Sequence, residues 1–197
     1  MPVSLEECLV VGISSRALFD LHKENEIFEQ EGLQAYSEYQ IAHEDDLLEP
    51  GSGFSLVKAL LRLNELSGRH VVEVIIMSRN SADTSLRVFS SIEHYGLDIT
   101  RAVLSGGENL SNYLASFGVD LFLSADEEDV QSAVNAGFAA GIIYPHADDY
   151  QRKEIEQIRI AFDGDAVLFF RSSRSGSIRN TALTPSWNMS GPMPGSR

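Results

Sequence analysis

The stretch Val71-Val72-Glu73-Val74-Ile75-Ile76-Met77 sets the tightest limit on what this chain can fold into. It is a short, β-branched, almost unbroken apolar run that passes straight into the polar loop Ser78-Arg79-Asn80-Ser81. A run of that kind is a strand covered on both faces, which is how strands of a parallel sheet are placed. The same pattern recurs. Leu9-Val10-Val11-Gly12-Ile13 ends in Ser14-Ser15-Arg16, and Ala102-Val103-Leu104 ends in Ser105-Gly106-Gly107-Glu108-Asn109. Val119-Asp120-Leu121-Phe122-Leu123 ends in Ser124-Ala125-Asp126, and residues 139–144 form a last strand stopped by Pro145. Between these runs lie helical patterns: 22–44 with Gly32 interrupting, 54–66 closed near Gly68, 82–95 stopped by Gly96, a short helix to Phe117, and 130–136 ended by Gly137. Strands alternating with helices predict an α/β, three-layer, Rossmann-like parallel sheet with helices on both faces. Ligands of such sheets bind beyond the carboxyl ends of the strands, where the serine-bearing loops gather.

The chain has 197 residues, enough for one domain with a substantial core and an appendage. Its net charge of −14 argues against a nucleic-acid polymer or an anionic membrane surface as partner. A phosphate-bearing ligand must then be attracted locally, by a metal, backbone N–H groups or a helix N-terminus. Cys8 is the single cysteine, so no internal disulfide forms, in keeping with a reducing compartment. No apolar run approaches the roughly 20 residues that span a bilayer. The acidic start Met1-Pro2-Val3-Ser4-Leu5-Glu6-Glu7 lacks the basic opening of a secretory signal, and the expected location is cytoplasmic.

Within the 22–44 segment, Ile27, Phe28, Leu33, Tyr36 and Tyr39 read as an apolar stripe packed into the core. Ser124 and Glu127 have the spacing of a capping box. Asp126-Glu127-Glu128-Asp129 fits acids complementing a helix dipole, with a metal cluster as the alternative. Ser105-Gly106-Gly107 reads as a turn, with a phosphate cradle as the alternative. The five histidines have no metal-ligand spacing, and neither Ser14 nor Ser78 sits in the G-x-S-x-G elbow of a serine hydrolase.

Near the end of the chain, Ile160-Ala161-Phe162-Asp163-Gly164-Asp165-Ala166-Val167-Leu168-Phe169 sets two carboxylates one residue apart between apolar runs. On an extended strand, positions i and i+2 leave on one side, so both acids reach one site. One carboxylate can attack phosphorus while the other moves the proton. Two like charges so close call for a cation, and magnesium prefers carboxylate and phosphate oxygens. The same spacing also occurs in solvated surface turns. Asp163-Gly164-Asp165-Ala166-Val167-Leu168 aligns with Ser14-Ser15-Arg16-Ala17-Leu18-Phe19 in a matching setting, as a second copy of one unit would.

Taken together, Ser14-Ser15-Arg16-Ala17-Leu18-Phe19, Ser78-Arg79-Asn80-Ser81, Ser91-Ile92-Glu93-His94-Tyr95-Gly96-Leu97, Leu121-Phe122-Leu123-Ser124-Ala125 and Phe162-Asp163-Gly164-Asp165-Ala166-Val167-Leu168-Phe169 resemble cytosolic 5′-nucleotidase type I, a family of haloacid-dehalogenase-like phosphohydrolases. The resemblance covers roughly residues 9 to 169 and implies magnesium-dependent hydrolysis of nucleoside 5′-monophosphates through an aspartyl-phosphate. It implies Asp163 as nucleophile and Asp165 as general acid/base, with Mg2+ on the Asp163 carboxylate, the Asp165 carbonyl and a downstream acid. It also implies Ser78 as the hydroxyl that binds substrate phosphate. In the first copy Ser14 and Arg16 occupy the catalytic aspartate positions, Asn109 stands near the lysine's place, and Ser124 and Ala125 replace an acidic pair. That copy reads as degenerate, since serine cannot replace a carboxylate ligand and a cationic arginine repels magnesium.

The expected organisation is a degenerate haloacid-dehalogenase-like domain over 1–150, the first strand of an incomplete second copy over 151–169, and a tail over 170–197. The tail carries four arginines and no acid, so it is expected to be disordered and to be a truncated or out-of-frame end, with a basic tail for an acidic partner as the alternative. The leading reading is an incomplete form of a 5′-nucleotidase. The other is a non-catalytic fragment or pseudoenzyme that binds nucleotide or a full-length relative, and both readings admit a homo-oligomer.

Overall fold

The computed structural model describes residues 7–144. Within them the alternation anticipated from the sequence becomes β1 (Leu9–Ser14), α1 (Ser15–Leu18), α2 (His22–Ala42), α3 (Phe54–Ser67), β2 (Val72–Ser78), a 3-10 turn at Asp83–Ser85, α4 (Leu86–His94), β3 (Arg101–Leu104), α5 (Ser111–Leu114), β4 (Leu121–Ser124), α6 (Glu127–Asn135) and β5 (Ala140–Ile142). The five strands form one sheet in the order β3-β2-β1-β4-β5, and every adjacent pair is parallel. β1 is central. It pairs from Leu9↔Val72 to Ser14↔Met77 on one side and from Val11↔Leu121 to Ile13↔Leu123 on the other.

The period-2 geometry of a strand divides the apolar residues between two faces. Val11, Ile13, Val72, Val74, Ile76 and Leu123 bury one face against Ala17 and Leu18 of α1, Val57, Leu60 and Leu61 of α3, and Val88 and Ile92 of α4. Val10, Ile75, Met77, Val103 and Phe122 bury the other against Leu110, Leu114 of α5 and Ala133 of α6. The result is the three-layer α/β architecture expected. Strands covered on both faces have no solvent side to fill, which is why β2 is apolar almost throughout.

Two local expectations are overturned. Ser124 does not cap α6. It is the last residue of β4, paired with Ile142, and the cap is Asp126, whose carboxylate accepts from the Glu128 and Asp129 N–H groups at 3.0 and 3.1 Å. α6 begins at Glu127, which makes Asp126 the residue placed to cap it, and the Ser124 hydroxyl instead accepts from the Asp126 N–H at 3.1 Å.

The 22–44 stripe does not go into the core as a unit. Phe28 and Leu33 are 48% and 68% exposed, whereas the buried residues of α2 are Glu24, Tyr36 and Gln40. The reason is Gly32, at φ 87°, ψ −177°, a conformation that breaks the helix. Along a straight helix, residues eight apart are separated by about 12 Å. Here the Phe28 and Tyr36 rings meet edge-on with centroids 5.9 Å apart, and Lys23 Nζ lies 5.0 Å from the Tyr39 ring centre. Residues 22–31 and 33–42 are therefore two arms of a helical hairpin folded back at Gly32.

The loop after the hairpin also has a backbone requirement. Gly51 and Gly53 donate their N–H groups to the carbonyls of Leu18 and Ala17 at 2.8 and 2.7 Å. A Cβ on Gly51 would lie 2.7 Å from the Phe19 carbonyl carbon, so only glycine admits that approach.

Candidate functional site

Three neighbouring strands, β1, β2 and β4, each end in a serine: Ser14, Ser78 and Ser124. All three are buried. At the carboxyl edge of a parallel sheet the chain turns sharply, and the first N–H groups of each loop need acceptors. The serine hydroxyls supply them. Ser14 Oγ accepts from the N–H groups of Ala17 and Ala125 at 3.2 and 3.3 Å, tying β1 to the loop after β4. Ser78 Oγ accepts from the Asn80 N–H at 3.2 Å and lies 3.1 Å from Ser15 Oγ.

Above these tips is a cleft of about 470 Å³. Its floor includes Ser14, Arg16, Ser78 and Arg79, and its upper wall comes from the hairpin, through Phe28, Leu33 and Tyr36. Arg16 reaches Asp126 at 3.6 Å, and Arg79 pairs with Asp129. Burial pushes the Asp129 carboxyl above the ordinary carboxylate range, against the opposing pull of Arg79. On the wall, burial raises the Tyr36 phenol as well, while its oxygen accepts from Gln40 Nε2 at 3.0 Å.

The loops around the cleft resolve two open alternatives. The N–H groups of Gly106 and Gly107 donate to the carbonyls of Asn80 and Arg79 at 3.2 and 2.7 Å, so this segment is a turn that braces the Arg79 loop. In the 126–129 acid run, Asp126 caps α6 and Asp129 holds Arg79. No group of three histidine, cysteine or acidic residues able to hold a metal occurs among the described residues. With each of the three carboxylates that line the cleft, Glu24, Asp126 and Asp129, facing an arginine, and Ser14 and Arg16 at the strand tip, this cleft does not fit a magnesium ion.

The sequence reading placed Ser14, Arg16, Ser78 and Ser124 at one sheet edge, and the structure brings them to one cleft. Asn109 is not part of it. Its amide donates to Ser132 Oγ at 2.6 Å and accepts from the Ser111 N–H at 2.9 Å, joining α5 to α6. Asp129 and the aromatic wall were missed as cleft residues, and Arg79, placed at the edge with the Ser78–Ser81 loop, was given no role. The signal for that role was its place immediately after a strand-end serine. Asp163 and Asp165, with the segments 151–169 and 170–197, lie outside the described residues.

The family model for 5′-nucleotidase matches residues 1–182. The chain belongs to the 5′-nucleotidase family. It is also 38% identical over 174 residues to human cytosolic 5′-nucleotidase 1B, an overlap that covers 85% of this chain and 28% of that protein. This family member therefore spans less than a third of the relative's length. Its cleft lies at the carboxyl ends of the strands, with Ser14 and Arg16 at the tip of β1. No described helix is long and apolar enough to cross a membrane.

Proposed function

We propose that this chain serves hydrolysis of nucleoside 5′-monophosphates to nucleoside and phosphate in the cytoplasm, with chemistry at Asp163 and Asp165 and the described domain as its disarmed companion. The observation that carries the reading is the absence of a usable carboxylate at the β1 tip. Ser14 and Arg16 stand there, whereas the aligned positions later in the chain are Asp163 and Asp165.

In the reaction, an Asp163 oxygen attacks phosphorus and the bond to the nucleoside 5′-oxygen breaks, while Asp165 gives that oxygen a proton. Water then attacks the aspartyl-phosphate, Asp165 takes a proton from it, and the Asp163 carboxylate is released with inorganic phosphate. Asp163 and Asp165 are the residues that would hold Mg2+, whose part is to neutralise charge on the phosphate oxygens. Ser78 is proposed as a contact to the substrate's phosphate. The test is phosphate release from AMP or IMP with magnesium, compared between the parent chain and Asp163→Asn. Loss of release in the variant supports hydrolysis at Asp163. Equal release in both favours a non-catalytic role.

A further inference from the structure

The described cleft has lost the groups for chemistry but kept the shape and polarity of a binding site. Its volume of about 470 Å³ lies within the range of small-molecule pockets. It has two chemically distinct halves. The floor presents two guanidinium groups, with the Arg16 and Arg79 side chains 42% and 40% exposed. Each guanidinium has five N–H donors in a planar fork, so an ion pair with one carboxylate leaves donors for a second anion. The opposite wall presents an apolar and aromatic patch, beside Asn25 and a Glu24 carboxylate already paired with Arg87. Phe28 and Leu33 are left 48% and 68% exposed on the hairpin and line the cleft beside the buried Tyr36. Apolar groups held open over a polar floor suit a ligand with a flat apolar part and an anionic part.

We propose that this cleft is a metal-independent binding site for a nucleoside 5′-monophosphate, which it holds without hydrolysing. The phosphate lies on Arg16 and Arg79, and the base lies against Phe28 and Tyr36. With Ser14 at the strand tip, no carboxylate attacks phosphorus, and the phosphoester bond stays intact. The ligand class rests on the nucleotide reading above, but the contacts proposed here, Arg16, Arg79, Phe28 and Tyr36, are none of that reading's residues and require no metal.

The test is calorimetric titration of the full chain carrying Asp163→Asn, in EDTA, with AMP, adenosine and inorganic phosphate as separate probes. Saturable one-to-one AMP binding is expected. Arg16→Ala should weaken AMP and phosphate about tenfold and leave adenosine unchanged. Phe28→Ala should weaken AMP and adenosine about tenfold and leave phosphate unchanged. Both side chains are substantially exposed, so these variants keep the fold where Arg79→Ala would strand the buried Asp129, and circular dichroism checks that they do. Absence of saturable AMP binding overturns the proposal, as does AMP binding of equal strength in the parent and both variants. Failure of the hydrolysis reading appears elsewhere, as equal phosphate release with and without Asp163.

Discussion

Arg87 Nη1 donates to Glu24 Oε1 at 2.6 Å, and both side chains are only 7% exposed. The same nitrogen donates to Gln40 Oε1 at 3.2 Å, and Arg87 Nε donates to the Asp46 carbonyl at 3.1 Å. Glu24 and Gln40 belong to opposite arms of the hairpin, so one arginine from α4 fastens both arms and the segment that follows them. The cleft's aromatic wall is held in place through this contact.

Removing one partner of a buried ion pair strands the other charge in a poorly solvated site. Arg87→Ala should therefore cost about 3–5 kcal/mol of stability, read as a lower urea midpoint. The double variant Arg87→Met with Glu24→Leu should recover much of that loss, because no unpaired charge remains.

Gly51→Ala should destabilise by about 1–3 kcal/mol through overpacking, since the added methyl meets the Phe19 backbone, which cannot turn aside as a side chain can. Alanine at Gly106, where nothing lies within 4 Å but φ is 60°, introduces backbone strain without a clash and should cost about 1 kcal/mol. Thermal unfolding of the two variants separates these effects.

Asp126→Ala removes the α6 cap and the anion facing Arg16. A loss of about 0.5–2 kcal/mol is expected from the cap. The partner at 3.6 Å adds little, because both side chains are partly exposed. Asparagine at the same position can still accept from the helix N–H groups, so it should keep most of the stability in a denaturant titration.

Asp129 gives a pH dependence of defined sign. Burial raises its carboxyl pKa in the folded protein, so the folded chain holds this proton at pH values where the unfolded chain has released it. Its contribution to stability is fully present below the unfolded value of about 3.9 and is lost as pH rises through the raised folded value. Above that value it is constant. The stability difference between the parent and Asp129→Asn should fall over that window and then flatten, in unfolding curves collected at a series of pH values.

The sheet was legible because burial on both faces leaves long apolar strands, and Val72 to Met77 has little other use for such a run. The strand-end serines were legible as an edge cluster for the same reason, since each marks the residue where an apolar run stops. The hairpin was not. Gly32 signals an interruption, but sequence periodicity does not give the direction in which the second arm leaves, so Phe28 and Leu33 read as core when they line a cleft. The α6 cap was missed because Ser124 and Asp126 both suit the position. The choice was made by pairing of Ser124 with β5, a contact between distant parts of the chain. Asn109 shows the limit of positional analogy: it stands near the expected place, but its amide spans two helices.

The central claim is a division of labour between a first repeat without usable carboxylates and a later pair of acids that carries the chemistry. Phosphate release from AMP in the presence of magnesium, measured on the parent chain and on Asp163→Asn at equal concentration, tests it most directly. The account predicts release by the parent and its loss in the variant. Indistinguishable release from the two proteins would contradict it.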